Sequence, residues 1–176
     1  RDVKPANILV CQLGPDHDFI KVLEFGLVKS RPHVGEEMTR LAGANLTCGT
    51  PDFMSPEVAM GAENPDWRAD IYALGCVGYW LLTGQPVFPA ENPMAAIVHH
   101  ARTEPVPPSE RTEVVVPTDL ENLILQCLAK DPADRPQSAL DLDALLAGCS
   151  SCTEWEGEQA REWWQLHLPN ISRAET

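Results

Sequence analysis

Two short apolar runs open the chain. Ile8 to Gln12 and Phe19 to Leu23 read as strands, and Gly14, Pro15 and Asp16 supply a turn between them. The pattern predicts an antiparallel hairpin with Asn7 at its start and Glu24 at its end. Residues 27–48 keep no apolar period and are rich in charge, Gly and Thr, which predicts a long loop. From residue 56 the period becomes helical. Pro56 suits a first helical position with Ser55 as cap. Arg68 to Thr83 forms a mostly apolar helix ended by Gly84 and Pro86, and Asn92 and Pro93 open another that runs to about Arg102. Pro105, Pro107 and Pro108 forbid helix. Thr118 and Glu121 then have the spacing of a capping box, ahead of an apolar face at Leu120, Leu123, Ile124, Cys127 and Leu128. Pro136 opens a further helix with Ala139, Leu142, Leu145 and Leu146 expected inward. Beyond Gly148 a Cys-Ser linker leads to an amphipathic segment with Ala160, Trp163, Trp164 and His167 on one face.

Composition narrows this only in places. The length suits about one domain. The net charge of −13 argues against a nucleic-acid partner or an anionic membrane surface. The longest apolar run, Ile71 to Leu82, is too short to cross a bilayer and is interrupted by Gly75 and Gly78, so a buried core helix is expected and no membrane segment within this chain. Cys149 and Cys152 make a lone C-x-x-C with no second pair or histidines at zinc-ligand spacing. Reduced, buried cysteines in a cytoplasmic protein are the plainer reading. His99 and His100 have no acid or cysteine at ligand spacing and are expected at the surface.

The chemistry concentrates at the start. Asp2, Lys4 and Asn7 place an acid, a cation and an amide within one turn of chain. A carboxylate can take the proton of an attacking hydroxyl, a lysine can neutralise a migrating phosphoryl group, and an asparagine oxygen can bind magnesium. Glu24-Phe25-Gly26, Gly49-Thr50-Pro51 and Ser55-Pro56-Glu57 follow in that order. Each has a plain alternative when taken singly: a surface ion pair for Asp2 and Lys4, a turn residue for Thr50.

Together these marks resemble a protein kinase, with its catalytic loop, Asp-Phe-Gly magnesium motif and Ala-Pro-Glu motif. The resemblance covers residues 1 to about 147, and residues 148–176 read as linker and Trp-rich tail. No glycine-rich loop, nucleotide-binding lysine or partner glutamate on a helix is found. The resemblance therefore implies the C-terminal lobe of a kinase domain, cut at its N-terminus: mainly α-helical with a small β-hairpin at the catalytic edge, and inactive alone. The implied activity is ATP-dependent phosphorylation of protein serine or threonine, because Lys4 followed by Pro5 marks that class. In the family the matching positions make Asp2 the base, Lys4 the phosphate contact, Thr50 the bridge between them, and Asn7 and Glu24 the ligands of Mg2+ or Mn2+. Glu57 and Arg135 match a structural ion pair. Asp70 matches an aspartate that holds the catalytic loop near Arg1. The long loop looks like an activation loop, with Thr39 and Thr47 as phosphorylation candidates. The partners implied are a protein substrate and the missing N-terminal lobe. The tail spacing is similar to segments after bacterial kinase domains, which favours a bacterial enzyme, with any membrane anchor in segments outside this chain.

Glu24 departs from the family, which has Asp. The extra methylene adds about 1.5 Å of reach, whereas magnesium demands near-ideal octahedral geometry. A pseudokinase, the same fold binding partners without turnover, is therefore the alternative expectation.

Overall fold

The computed structural model describes residues 2–23, 50–150 and 155–168. The elements run β1 (Ile8–Leu13), β2 (Asp16–Val22), α1 (Pro56–Ala59), α2 (Arg68–Thr83), α3 (Pro93–Arg102), α4 (Thr118–Cys127), α5 (Ala139–Ala147) and α6 (Gly157–His167). Short 3-10 turns at Pro5–Asn7, Pro51–Phe53, Pro108–Glu110 and Pro132–Asp134 each open on a proline. Proline fits there because its fixed φ suits the first helical position and its missing N–H is not needed.

The strands pair antiparallel, Ile8 opposite Val22 through Cys11 opposite Phe19, and the register then shifts to bring Leu13 opposite Asp16. The turn is tighter than the sequence suggested. Gly14 takes a left-handed φ of 60°, so the chain reverses at Gly14 and Pro15, and β2 begins at Asp16 rather than Phe19. The register shift is accompanied by a second left-handed residue, Asp18, at φ 58°. Aspartate tolerates this region better than most side chains, and such irregularities re-aim a side chain relative to the pleat.

The core lies around α2. Tyr72, Cys76 and Tyr79 pack with Val87, Phe88, Ile124 and Leu128. A second cluster joins Ile71, Leu123, Cys127, Leu142 and Cys149. The two share α2 and α4, which pack closely because Gly75 has no side chain. A Cβ there would stand 2.7 Å from Cys127 Cβ and 3.3 Å from Leu128. At the end of α2 Gly84 is left-handed, and its amide closes the last turn onto Trp80 O at 2.8 Å.

The start of α3 is as expected, and two later starts differ where side chains have other partners. Asn92 caps α3 by accepting from the Ala95 amide at 2.9 Å. The capping box at Thr118 does not form. Thr118 already lies inside α4, and the Glu121 carboxylate instead accepts the Ser109 amide at 2.7 Å, tying the Pro108–Glu110 turn to the helix. The next helix begins at Ala139, not Pro136, because Ser138 supplies the cap, accepting from the Asp141 amide at 3.0 Å. The preceding residues stay in a turn that the Gln137 side chain ties to Pro132 O and Ala133 O. Of the four α5 residues expected inward, Leu142 is buried while Ala139, Leu145 and Leu146 are exposed. In α6, Ala160 and Trp164 are buried and Trp163 and His167 stack on each other outside.

His100 is a correction of another kind. It is fully buried rather than at the surface. Its Nδ1 shares a 2.9 Å hydrogen bond with the Tyr72 hydroxyl, its ring stands edge-on to Phe88, and its carbonyl accepts from Lys130 Nζ at 3.0 Å. Burial, reinforced by the Lys130 charge, lowers its pKa to about 4.

Two expectations follow from this packing. Gly75→Ala forces α2 off α4 and should cost about 1–3 kcal/mol, read as a lower urea midpoint at unchanged slope. His100 is neutral when folded, but its unfolded form binds a proton below its ordinary value of 6.5. Stability should therefore fall as pH drops from 6.5 through about 4, by on the order of 3 kcal/mol. His100→Gln, which keeps a polar group at the site but cannot titrate, should flatten urea-measured stability across that window.

Candidate active site

The Pro5–Asn7 turn assembles the first part of the site. The Asn7 amide closes it onto Lys4 O at 3.0 Å, which places both side chains beside Asp2. Asn7 is buried, and its Nδ2 donates to Asp2 O at 2.9 Å and to Asp2 Oδ2 at 3.0 Å. Lys4 Nζ stands 2.7 Å from the same carboxylate oxygen. Both hydrogen bonds of the Asn7 amide nitrogen are thereby made to Asp2, which fixes the side chain. At the far end of the hairpin Leu23 donates its amide to Asn7 O at 2.7 Å. Leu23 is thus fastened to Asn7 across the open end of the hairpin.

The second part comes from the chain after residue 50. Thr50, Asp52 and Phe53 join Lys4, Pro5, Ala6, Trp80 and Pro86 around an open depression of about 310 Å3. Lys4 and Thr50 therefore face one space although they are far apart in sequence. Trp80 was legible only as part of an apolar helix, yet it is partly exposed and forms a wall here. Asp52, Phe53 and Pro86 carried no sequence signal that would have placed them.

Glu57 and Arg135 form a bidentate ion pair. Arg135 NH1 donates to Oε1 at 2.9 Å and NH2 to Oε2 at 2.8 Å. The arginine is 2% exposed. It also donates to the carbonyls of Ala129, Arg68 and Lys130, and it lies over the Tyr72 ring at 4.9 Å. Burial pushes the Glu57 pKa up, but the hydrogen bonds and charge of Arg135 outweigh it and hold the carboxyl below its ordinary value. Asp70 sits in the first turn of α2, where its charge complements the helix dipole. Arg1, Glu24, Phe25, Gly26, Thr39, Thr47 and Gly49 lie outside the described residues. Among the described residues no three His, Cys, Asp or Glu side chains cluster as a metal site of their own.

The protein kinase domain family matches residues 1–144. The chain belongs to the protein kinase family. It is 41% identical over 144 residues to the serine/threonine-protein kinase PknB of Mycolicibacterium smegmatis, an alignment covering 82% of this chain and 22% of that protein. Identity to PknB of Mycobacterium tuberculosis is 39% over 144 residues, again 82% and 22% of the two chains. Identity to the serine/threonine-protein kinase pkn3 of Myxococcus xanthus is 42% over 142 residues, 79% of this chain and 25% of that one. The chain thus spans about a quarter or less of the length of these kinases. As a member of the family it has the mostly helical build and two-stranded antiparallel hairpin described above.

The buried ion pair gives an expectation for this kinase chain. Glu57→Gln keeps the shape but leaves Arg135 without its counter-charge, and should cost about 3–5 kcal/mol. Arg135→Met should cost at least as much, since it strands a carboxylate and three carbonyls together. Because the Glu57 pKa is lowered in the fold, its contribution is present above its ordinary value of 4.5 and is lost as pH falls through the lower folded value. Urea titrations of both variants at pH 7 and pH 3.5 test this, and the Glu57→Gln deficit should shrink at the lower pH.

Proposed function

We propose that this chain is the C-terminal, hydroxyl-activating lobe of an ATP- and Mg2+-dependent serine/threonine protein kinase. The observation that carries the reading is the Asp2 carboxylate, met on one oxygen by both Lys4 at 2.7 Å and Asn7 at 3.0 Å. An acid restrained in this way is oriented to accept the proton of a substrate serine or threonine. Lys4 then lies close enough to offset charge on the group being transferred. Thr50, across the depression from Lys4, organises the substrate segment.

The donor set suits magnesium. The Asn7 carbonyl oxygen and the Glu24 carboxylate are hard oxygen ligands, and magnesium is commonly bound by one or two carboxylates together with the substrate's phosphates. When bound, the ion neutralises phosphate charge. Asn7 and Glu24 would hold it, and the 2.7 Å bond from Leu23 to Asn7 keeps the two strand ends in register. Thr39 and Thr47 are the candidates for regulatory phosphorylation in the activation loop.

Residues 1–147 form this lobe, and residues 148–176 its linker and tail. Val10, Ile20 and Val22 share one face of the hairpin by register and are exposed. Apolar side chains grouped there fit a docking surface for the nucleotide-binding lobe. No described helix is long and apolar enough to cross a membrane. A cytoplasmic catalytic region, anchored if at all by other segments, is the placement we favour.

Glu24 favours a second reading, a pseudokinase that binds partners without turnover. The two are separated in a protein that includes the nucleotide-binding lobe. In a kinase, Asp2→Asn should lower the steady-state phosphorylation rate by about 100- to 10,000-fold. Glu24→Asp should raise it, because the shorter arm suits the metal. A parent as inactive as Asp2→Asn across a magnesium and manganese series would select the pseudokinase. The 1–176 chain alone should transfer no phosphate to a generic Ser/Thr peptide, because the nucleotide is not positioned.

A further inference from the structure

The Trp-rich segment meets the hairpin at Asp18, which accepts from two of its indoles. Trp155 Nε1 donates to Asp18 Oδ2 at 2.7 Å, and Trp164 Nε1 donates to Asp18 Oδ1 at 2.6 Å. Each carboxylate oxygen therefore takes one indole. An indole N–H is a donor only and needs an acceptor when its ring is packed. A carboxylate makes the stronger, shorter kind of bond with it. Trp164 is buried, and the His17 ring meets it edge-on at 6.2 Å. The α6 start is fixed independently by a capping box between Glu156 and Gln159. Asp18 reaches the tryptophans from the left-handed position beside the register shift of the hairpin, an unusual backbone conformation for a non-glycine residue.

The same strand leads to the candidate active site. β2 ends at Val22, and the next residue, Leu23, donates to Asn7 O at 2.7 Å. We infer that residues 155–168 are a latch, with Asp18 as the receptor for two indole N–H groups, and that through β2 the latch positions the Leu23–Asn7 junction. Asp18 acts through the strand and touches no reacting group, so it is a positioning residue. The latch itself does not depend on the kinase reading. Only the consequence for a metal at Asn7 rests on that reading.

The test is amide hydrogen exchange on the 176-residue chain. Asp18→Ala should speed exchange about 10- to 100-fold, the loss expected for charge-assisted bonds, in residues 8–23 and 157–167 together. The Leu23 amide should be included, while residues 71–79 and 123–128 should not change. Tryptophan emission should shift to the red in the same variant. Asp18→Asn, which retains one acceptor oxygen, should fall between parent and Asp18→Ala. Should Asp18→Ala not fold, Trp155→Phe keeps the aromatic bulk, removes one N–H, and should loosen the same two segments. A double-mutant cycle of Asp18→Ala with Trp164→Phe should be non-additive. Loosening confined to the tail, with Leu23 protection unchanged, would overturn the positioning role. Unchanged exchange in both segments would overturn the latch.

Discussion

A guanidinium removed from water must have its five N–H donors met, and Arg135 organises the chain around that requirement. Its donors reach Glu57, Arg68, Ala129 and Lys130, so one side chain gathers α1, the start of α2 and the stretch after α4. The Tyr72 ring beneath it carries the same centre into the apolar core. A buried ion pair contributes little net stability relative to an apolar replacement, since desolvation offsets the Coulombic gain. Its effect is positional. Any other arrangement of the Ser55-Pro56-Glu57 segment would leave a buried charge unmatched, so the chain that follows Thr50 is fixed against the helices.

The candidate site lies between this fixed helical body and a hairpin held in a different manner. The helices are joined by broad apolar packing, with the α2–α4 approach set by Gly75. The hairpin exposes much of its apolar surface, and among the described residues directed bonds mark its two ends: Leu23 to Asn7 at one end and the two indoles to Asp18 near the turn. Directed bonds specify geometry where there is too little buried area to do so. Asn7 stands where the two regimes meet, its side chain on Asp2 and its backbone on the end of the hairpin.

Much of this was legible in the sequence, and for local reasons. The hairpin, the long apolar helix, the Asn92-Pro93 start and the helix before Leu128 each follow from periods and turn residues within a few positions of one another. The grouping of Asp2, Lys4 and Asn7 was legible because a single tight turn encloses all three. Misreadings arose where a local motif had a distant competitor. Thr118 and Glu121 have capping-box spacing, but the Ser109 amide takes the carboxylate. Leu145 and Leu146 share an apolar pattern with Leu142, yet nothing in the described fold covers them as it covers Leu142.

Element types, the family and the candidate residues for phosphoryl transfer are written in the chain itself, because they reside in short-range spacing and side-chain chemistry. Which of them meet is a matter of long-range packing. Burial of His100 against Tyr72, the wall formed by Trp80 beside Lys4 and Thr50, and the convergence of Trp155 and Trp164 on Asp18 all join residues far apart in the chain. No periodicity records such meetings. They are set by how packed helices and a hairpin enclose space, and by the need of each buried polar group to find a partner within it.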